Sequence, residues 1–316
     1  MVFRASDGRF GATNNGEDDP QNAANNPLYR LYKTDGENQD RYLKARFYGT
    51  LVPLKGLTLT GSFNYMLRNK TSDSKPVFIE QWNFQNETVT STGIGKTSFM
   101  DSDYKWNNYL MDVTATYQNK VSKLDYSIMA GASQELFRYK WFKTTKQDLI
   151  DPGLGALDGA VGAATSSGNM VEWVMRSYFG RIKLNWDNKY LVEANFRADG
   201  SSRFLKGNRW GYFPSASAAW RISEEPFIKD FAEKIALSNL KLRASYGMLG
   251  NNTLRAINSD IEGNYDAQAL YGASNYVLNS NVITGLAMLA IPNANLTWEK
   301  TKIFNAGIDF SFFANR

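Results

Sequence analysis

Between residues 178 and 199, uncharged and polar side chains alternate in steps of two, and this alternation limits what the chain can fold into more than any motif does. Tyr178, Gly180, Ile182, Leu184 and Trp186 carry no charge, while Phe179, Arg181, Lys183, Asn185 and Asp187 between them are mostly polar. That is the period of a strand with one apolar face. Tyr190, Val192, Ala194, Phe196 and Ala198 repeat it against Leu191, Glu193, Asn195, Arg197 and Asp199, so Asp187-Asn188 reads as a tight hairpin turn. Each segment runs about ten residues, whereas strands of soluble proteins average about five or six. Roughly ten tilted residues cross the ~25 Å apolar band of a membrane barrel.

The same pattern predicts further strands near 41–51, 57–68, 109–117, 124–133, 214–222, 240–248 and 304–312, about nine in all with the central pair. Their outward sets, such as Leu43, Ala45, Phe47, Gly49 and Leu51, or Phe304, Ala306, Ile308, Phe310 and Phe312, hold no charge. The inward sets hold Lys44, Arg46, Arg68, Asp112, Asp125, Arg181, Lys183, Asp187, Glu193, Arg197, Asp199, Arg221, Lys241, Arg243 and Asp309. Lipid explains the exclusion, since an outward Lys or Arg costs roughly 2–4 kcal/mol at mid-bilayer. A soluble sandwich also segregates charge, so connection length has to decide. Stretches 1–40, 69–103, 141–172 and 249–297 read as long loops, and they alternate with the short turns VPLKG, NKVSK and Asp187-Asn188. Membrane barrels alternate in this way, with short periplasmic turns and long external loops. Outward aromatics divide into Tyr65, Tyr109, Tyr178, Phe196 and Tyr246 near one rim and Tyr117, Tyr126, Trp186, Tyr190, Trp220 and Phe310 near the other, the two girdles of such a wall.

The runs ANFRADGSSRF, RWGYFPSASAAWRIS and LSNLKLRASYGMLGNN, with LTWEKTKIFNAGIDFSFFANR near the end, resemble the barrel of the SusC/RagA family of TonB-dependent outer-membrane transporters. The resemblance covers roughly 170–316 closely and 25–140 more loosely. It implies a plugged barrel of about 22 strands in the cell outer membrane, energised uptake of an oligosaccharide or peptide, a SusD-like surface lipoprotein as lid, and TonB as the source of work. The expected fold is therefore all-β: an incomplete transmembrane antiparallel up-and-down β-barrel. Residues 1–316 are expected to form part of one barrel domain, with plug, signal peptide and remaining strands outside it, because MVFRASDGRFGATNNGEDDP has neither a basic start nor an apolar core. An ungated porin or structural barrel, or a soluble secreted β-sandwich binding module, are the alternative readings.

Chemistry is narrowed by what the 316 residues lack. With no Cys and no His, thiol nucleophiles, imidazole acid-base catalysis and the commonest zinc sites are excluded. No catalytic, metal or cofactor residue is expected, so the chain reads as no enzyme. The net charge of +5 reads as ordinary solvated surface, and no nucleic-acid partner is expected. No run of about 18 apolar residues occurs, so no membrane helix is expected, and a mean hydropathy of −0.44 does not argue against a barrel, whose lipid face takes only every second residue. In DGSSRF and RWGYF, Arg203 and Arg209 flank Asp199 and Gly200; an anion cradle is one reading, and Arg–Asp pairing within the wall is the expected one. Loop aromatics Trp82, Phe84, Trp141, Phe142, Tyr265, Tyr271 and Tyr276 are the candidate ligand contacts, by stacking. The lumen-facing Arg181, Lys183, Glu193, Arg197, Asp199, Arg243 and Asp309 are expected to be structural. Residues 224–237 have helical apolar spacing at Phe227, Phe231 and Ile235, predicting a short helix over a turn.

Overall fold

The computed structural model describes residues 4–11, 27–32, 34–77, 79–84, 87–91, 97–151, 153–255, 262–263 and 265–313. Nine long strands follow one another in it: β1 (Asn38–Leu54), β2 (Leu57–Pro76), β3 (Ser98–Val121), β4 (Leu124–Gln147), β5 (Ala164–Trp186), β6 (Tyr190–Ser201), β7 (Trp210–Arg221), β8 (Leu237–Asn251) and β9 (Glu299–Phe312). Each pairs with its neighbours in sequence, so the sheet is a meander. Thr34–Asp35 extends the β1 edge by pairing with Pro76 and Lys75 of β2. Among the described residues the sheet is open, because β1 pairs only with β2 and β9 only with β8.

Register places the expected faces. Val192 lies opposite Leu184 and Ala218, Ala218 opposite Ala244, and Ala244 opposite Ala306. Directly opposed residues share a face, so the uncharged sets of β5 to β9 form one continuous surface. That surface is bare: Phe196 is 50% exposed and Ile308 61%. Aromatic pairs Tyr65–Tyr109, Tyr178–Trp210 and Phe196–Tyr212 mark one end of it, and Tyr117–Tyr126 and Tyr190–Trp220 the other. Past the first of these bands the outward positions change character along the same strands. Lys105 and Asp103 follow Tyr109 on β3 and pair at 3.6 Å, and Arg138 and Lys140 occupy the outward parity of β4. The charge-free stretch of the outward face thus ends, along these strands, at the first aromatic band.

Short turns lie side by side on one rim, as the loop-length alternation predicts. Gln118 N–H donates to Gly56 O, Asp187 N–H to Lys123 O, Arg221 N–H to Lys189 O and Phe313 N–H to Ala236 O, each at 2.8 Å. Asp187 (φ 54°) and Asn188 (φ 57°) are both left-handed, the backbone of a type I′ hairpin turn. Lys123 Nζ, 2.8 Å from Asp187 Oδ2, holds that carboxyl below its ordinary range by a hydrogen bond.

The expected loops are shorter than the sequence reading has them. β2 runs on to Pro76 and β3 starts at Ser98, so much of 69–103 is strand; the same holds for 141–172, where β4 ends at Gln147 and β5 begins at Ala164. Polar side chains on both faces hide the period of a strand in water, and amphipathicity is then lost as a signal. Stretch 249–297 holds a hairpin, Leu270–Leu278 with Asn281–Ala290, and stretch 1–40 holds the helix Pro27–Tyr32. Pro214, expected among the first residues of its strand, is well inside β7; its ladder to β8 starts only at Ser215, so no paired N–H is missing there. The helix expected over 224–237 is Pro226–Lys234.

The chain divides into two compact units, 1–43 with 66–107 and 138–171, and 44–65 with 108–137 and 172–316. The first has a small core of Phe99, Leu149 and Ala160 with Leu157 against it. The second has its core at Phe204, Phe213 and Trp298, joined by Met175, Met248 and Leu296.

Candidate functional site on the inward face

At the level of the bare outward belt, inward charges meet partners on their own or the next strand. Arg197 Nε donates to both carboxylate oxygens of Asp199 at 2.7 and 2.8 Å, and its Nη2 to Ser177 Oγ at 2.9 Å. Lys183 Nζ lies 3.3 Å from Glu193. Asp309 takes Arg243 Nε at 3.2 Å and Lys241 at 3.5 Å. Arg243 lies across Gly307, where a Cβ would come within 3.0 Å of its Nε. Arg181 Nε has no hydrogen-bond partner among the described residues. Half-exposed pairs of this kind contribute at most about 1 kcal/mol each; they leave the wall polar, with Arg181 and the second cation on Asp309 in excess. Lys183, Glu193, Lys241, Arg243, Ser245 and Asn305 help line a concavity of about 760 Å³.

Where the strands pass the upper girdle, planar groups replace charge pairs on the inward face. In the first unit, Arg68 lies between rings, 5.2 Å from Tyr42 and 4.4 Å from Trp106, and Trp106 stacks on Tyr139 at 5.0 Å. Tyr104 stacks on Trp106 and on Trp141. Asp40 fixes the guanidinium by accepting from Nη2 at 2.6 Å and Nε at 3.0 Å. Arg68, Trp106 and Tyr139 are half-buried and Tyr42 is exposed, and the row runs across four strands, β1 to β4. In the second unit Phe137 stacks on Trp173 at 5.3 Å, and Arg203 covers Trp173 at 4.9 Å. Sequence reading missed Tyr104, Trp106, Tyr139, Phe137 and Trp173. Carrying the inward parity of β3 (even numbers), β4 and β5 (odd numbers) past the girdle would have found them.

The glycine- and arginine-rich motifs fold into the second unit's core. Arg203 is 3% exposed, its Nη1 donating to Asn252 O at 3.1 Å. Trp298 Nε1 donates to Arg209 O, and Arg209 Nε to Phe204 O. Asp199 pairs with Arg197, while Arg203 and Arg209 donate to the backbone carbonyls of Asn252 and Phe204, so the expected pairing of these two arginines with Asp199 is replaced by packing into this core. Gly211 and Gly250 leave the space the Phe213 ring fills, since a Cβ on either would overlap it.

The expected loop aromatics are dispersed. Trp82 and Phe84 come together under Arg9, at 4.6 and 5.4 Å, where Gln81–Asn83 pairs with Phe10–Gly11 and Thr88–Ser91. Trp141 and Phe142 are strand residues of β4, not loop; Trp141 joins the inward rings and Phe142, on the other face, is half exposed. Tyr265 is tied down, its hydroxyl bonded to both N and O of Glu172. Tyr271 and Tyr276 stand exposed on opposite faces of the hairpin.

A charge-free outer belt between two aromatic bands, an inner face of paired charge, and one rim of short turns are the parts of a barrel wall. The family model of the TonB dependent receptor-like β-barrel matches residues 2–316. The chain belongs to that family. Among relatives of this TonB-dependent barrel, the TonB-dependent receptor SusC of Bacteroides thetaiotaomicron is 31% identical over 245 residues, 73% of this chain and 23% of that protein. The TonB-dependent receptor P39 of Formosa agariphila is 27% identical over 298 residues, 93% of this chain and 26% of its own length. The solved RagAB peptide transporter superposes with a TM-score of 0.77 at 25% identity, covering 92% of this chain and 30% of that one. The TonB-dependent barrel chain therefore spans under a third of the length of the relatives it matches.

Proposed function

We propose that these strands are part of the wall of an energised importer in the outer membrane, one that takes up a large nutrient, an oligosaccharide or a peptide. The observation that carries this reading is the inward row Tyr42, Arg68, Trp106 and Tyr139, on strand ends beyond the girdle, where a ligand coming from outside first meets the wall. Flat rings with a guanidinium among them suit the apolar faces of sugars and the side chains of peptides alike. Below them, the inward charges, most of them paired, offer a wet path. The relatives support the reading, one being the receptor SusC and another a peptide transporter.

In this reading a SusD-like surface lipoprotein serves as lid, and TonB supplies work through a plug and contact segment that, with the remaining strands and the signal peptide, belong to sequence outside these residues. The loop aromatics Trp82, Phe84, Tyr265, Tyr271 and Tyr276 hold ligand secondarily, and the inward charges Arg181, Lys183, Glu193, Arg197, Asp199, Arg243 and Asp309 are structural. No bond in the ligand is made or broken by this wall.

The test is uptake of labelled oligosaccharides and peptides by cells carrying the full-length protein, with and without TonB. Accumulation lost on removing TonB is the expected result. Passage that continues at the same rate without TonB would favour an ungated porin, and no passage of either ligand class would sink the importer.

A further inference from the structure

We infer that the helix Pro226–Lys234 lies in the lipid-water interface of the periplasmic leaflet, with Phe227 and Phe231 among the lipids. The inference rests on the reading that the wall spans the outer membrane. It starts from Glu225, the residue before the helix, which is 7% exposed. Its Oε1 accepts from Tyr190 Oη at 2.6 Å and Trp220 Nε1 at 3.1 Å, and Lys189 Nζ lies 3.2 Å from Oε2. Tyr190 and Trp220 are outward girdle residues, stacked on each other. The chain therefore leaves β7 on the outward side of the wall.

At about 100° per residue, the helix's apolar side chains occupy one continuous arc. Ala232, at one end of the arc, is buried at 6%. Ile228 and Ile235 come next, and Phe231 (57% exposed) and Phe227 (72% exposed) complete it, with Asp230, Glu233 and Lys234 on the rest of the circumference. A helix with only a structural role would pack its largest apolar side chains; here the smallest is packed and the two rings are bare. The surface continues beyond the helix. Phe313, 66% exposed, is bonded through its N–H to Ala236 O just after the helix, and Phe312 pairs with Leu237.

Missing strands do not account for the bare rings. The helix joins β7 to β8, both interior strands, with β6 and β9 filling the positions on either side. What remains is the continuation of the lipid-facing girdle, and an amphipathic helix lying flat at the headgroup level fits it, apolar face down and charged face to water. Lipid is favoured over a protein partner because Glu225, at the start of the helix, is held by the outward girdle residues Tyr190 and Trp220, which sets the apolar arc at the edge of the lipid-facing belt.

The 316 residues hold no cysteine, so single nitroxide labels can be placed by Phe227→Cys, Phe231→Cys, Glu233→Cys and, as a wall control, Ile308→Cys in the full-length transporter. Any cysteine elsewhere is replaced by serine, and the protein is reconstituted in phospholipid bilayers. Relaxation enhancement by oxygen is compared with that by a water-soluble nickel chelate. Labels at 227 and 231 should favour oxygen, the label at 233 the chelate, and the label at 308 oxygen strongly. If 308 favours oxygen while 227 and 231 favour the chelate, the rings face water and the inference fails. If 227 and 231 are shielded from both reagents, a protein or a second copy covers them, and it fails again. A label at 308 that favours the chelate would overturn the membrane reading itself.

Discussion

Glu225 is the clearest case of one side chain holding a rim together. Hydrogen bonds from the Tyr190 hydroxyl, then the Trp220 indole and the Lys189 ammonium, hold its carboxyl below the ordinary 4.5. A depressed carboxylate contributes stability that is complete above its unfolded pKa and is lost as pH falls through the folded one. Glu225→Gln should therefore lower the heat-modification midpoint of the full-length barrel at neutral pH, and the gap from wild type should close as pH falls below about 4.5. An equal gap at all pH values would mean that shape, not charge, is what Glu225 contributes. Space decides at Gly250, where a Cβ would overlap the Phe213 ring. Overpacking of this kind costs about 1–3 kcal/mol, so Gly250→Ala should reduce folded protein at the surface, while Gly49→Ala, in open space, should not.

Strands β2 to β5 carry two environments in one element. Along β3 the outward residues are apolar from Tyr117 to Tyr109 and charged at Lys105 and Asp103, and the inward ones change from Asp112 to Trp106 and Tyr104. A strand that leaves lipid no longer needs one apolar face, and its inward face becomes available for ligand. Each ring lost from the inward row should remove about 0.5–1.5 kcal/mol of stacking. Trp106→Ala with Tyr139→Ala should then weaken ligand affinity about tenfold at equal surface abundance. Trp82→Ala with Tyr271→Ala should weaken it less, because Trp82 is already covered by Arg9. The reverse order would move ligand capture to the loops.

Considered as a whole, the sheet has two edges whose backbone groups need partners in lipid, β1 and β9. Expressed without the rest of a full-length transporter, these 316 residues should fail to give a heat-modifiable, protease-resistant monomer in detergent. Such a monomer would mean that the edges find each other. Charge pairs such as Lys241–Asp309 bridge β8 to β9 but are too exposed to hold an edge by themselves.

Side-chain alternation determined the nine strands and which residues share each face, because an apolar belt keeps charge off every second position between the aromatic bands, and connection length determined the end at which the short turns lie. The hairpin at Asp187-Asn188 was legible for a similar local reason, since few residue pairs tolerate two left-handed positions. Tertiary structure decided what depends on distance in space. Asp199 has charged neighbours on several sides, and only the folded wall chose Arg197. Trp141 was read as loop because its neighbours Lys140, Lys143 and Thr144 erase the period, and only pairing of β3 with β4 set it beside Tyr104. The inward ring row is likewise assembled from separate strands: parity marks Trp106 and Tyr139 as inward, and only strand pairing sets them beside Arg68 and Tyr42. Helical spacing predicted the helix Pro226–Lys234, but the direction of Phe227 and Phe231 was set by where Glu225 finds its partners, on the outward side of the wall.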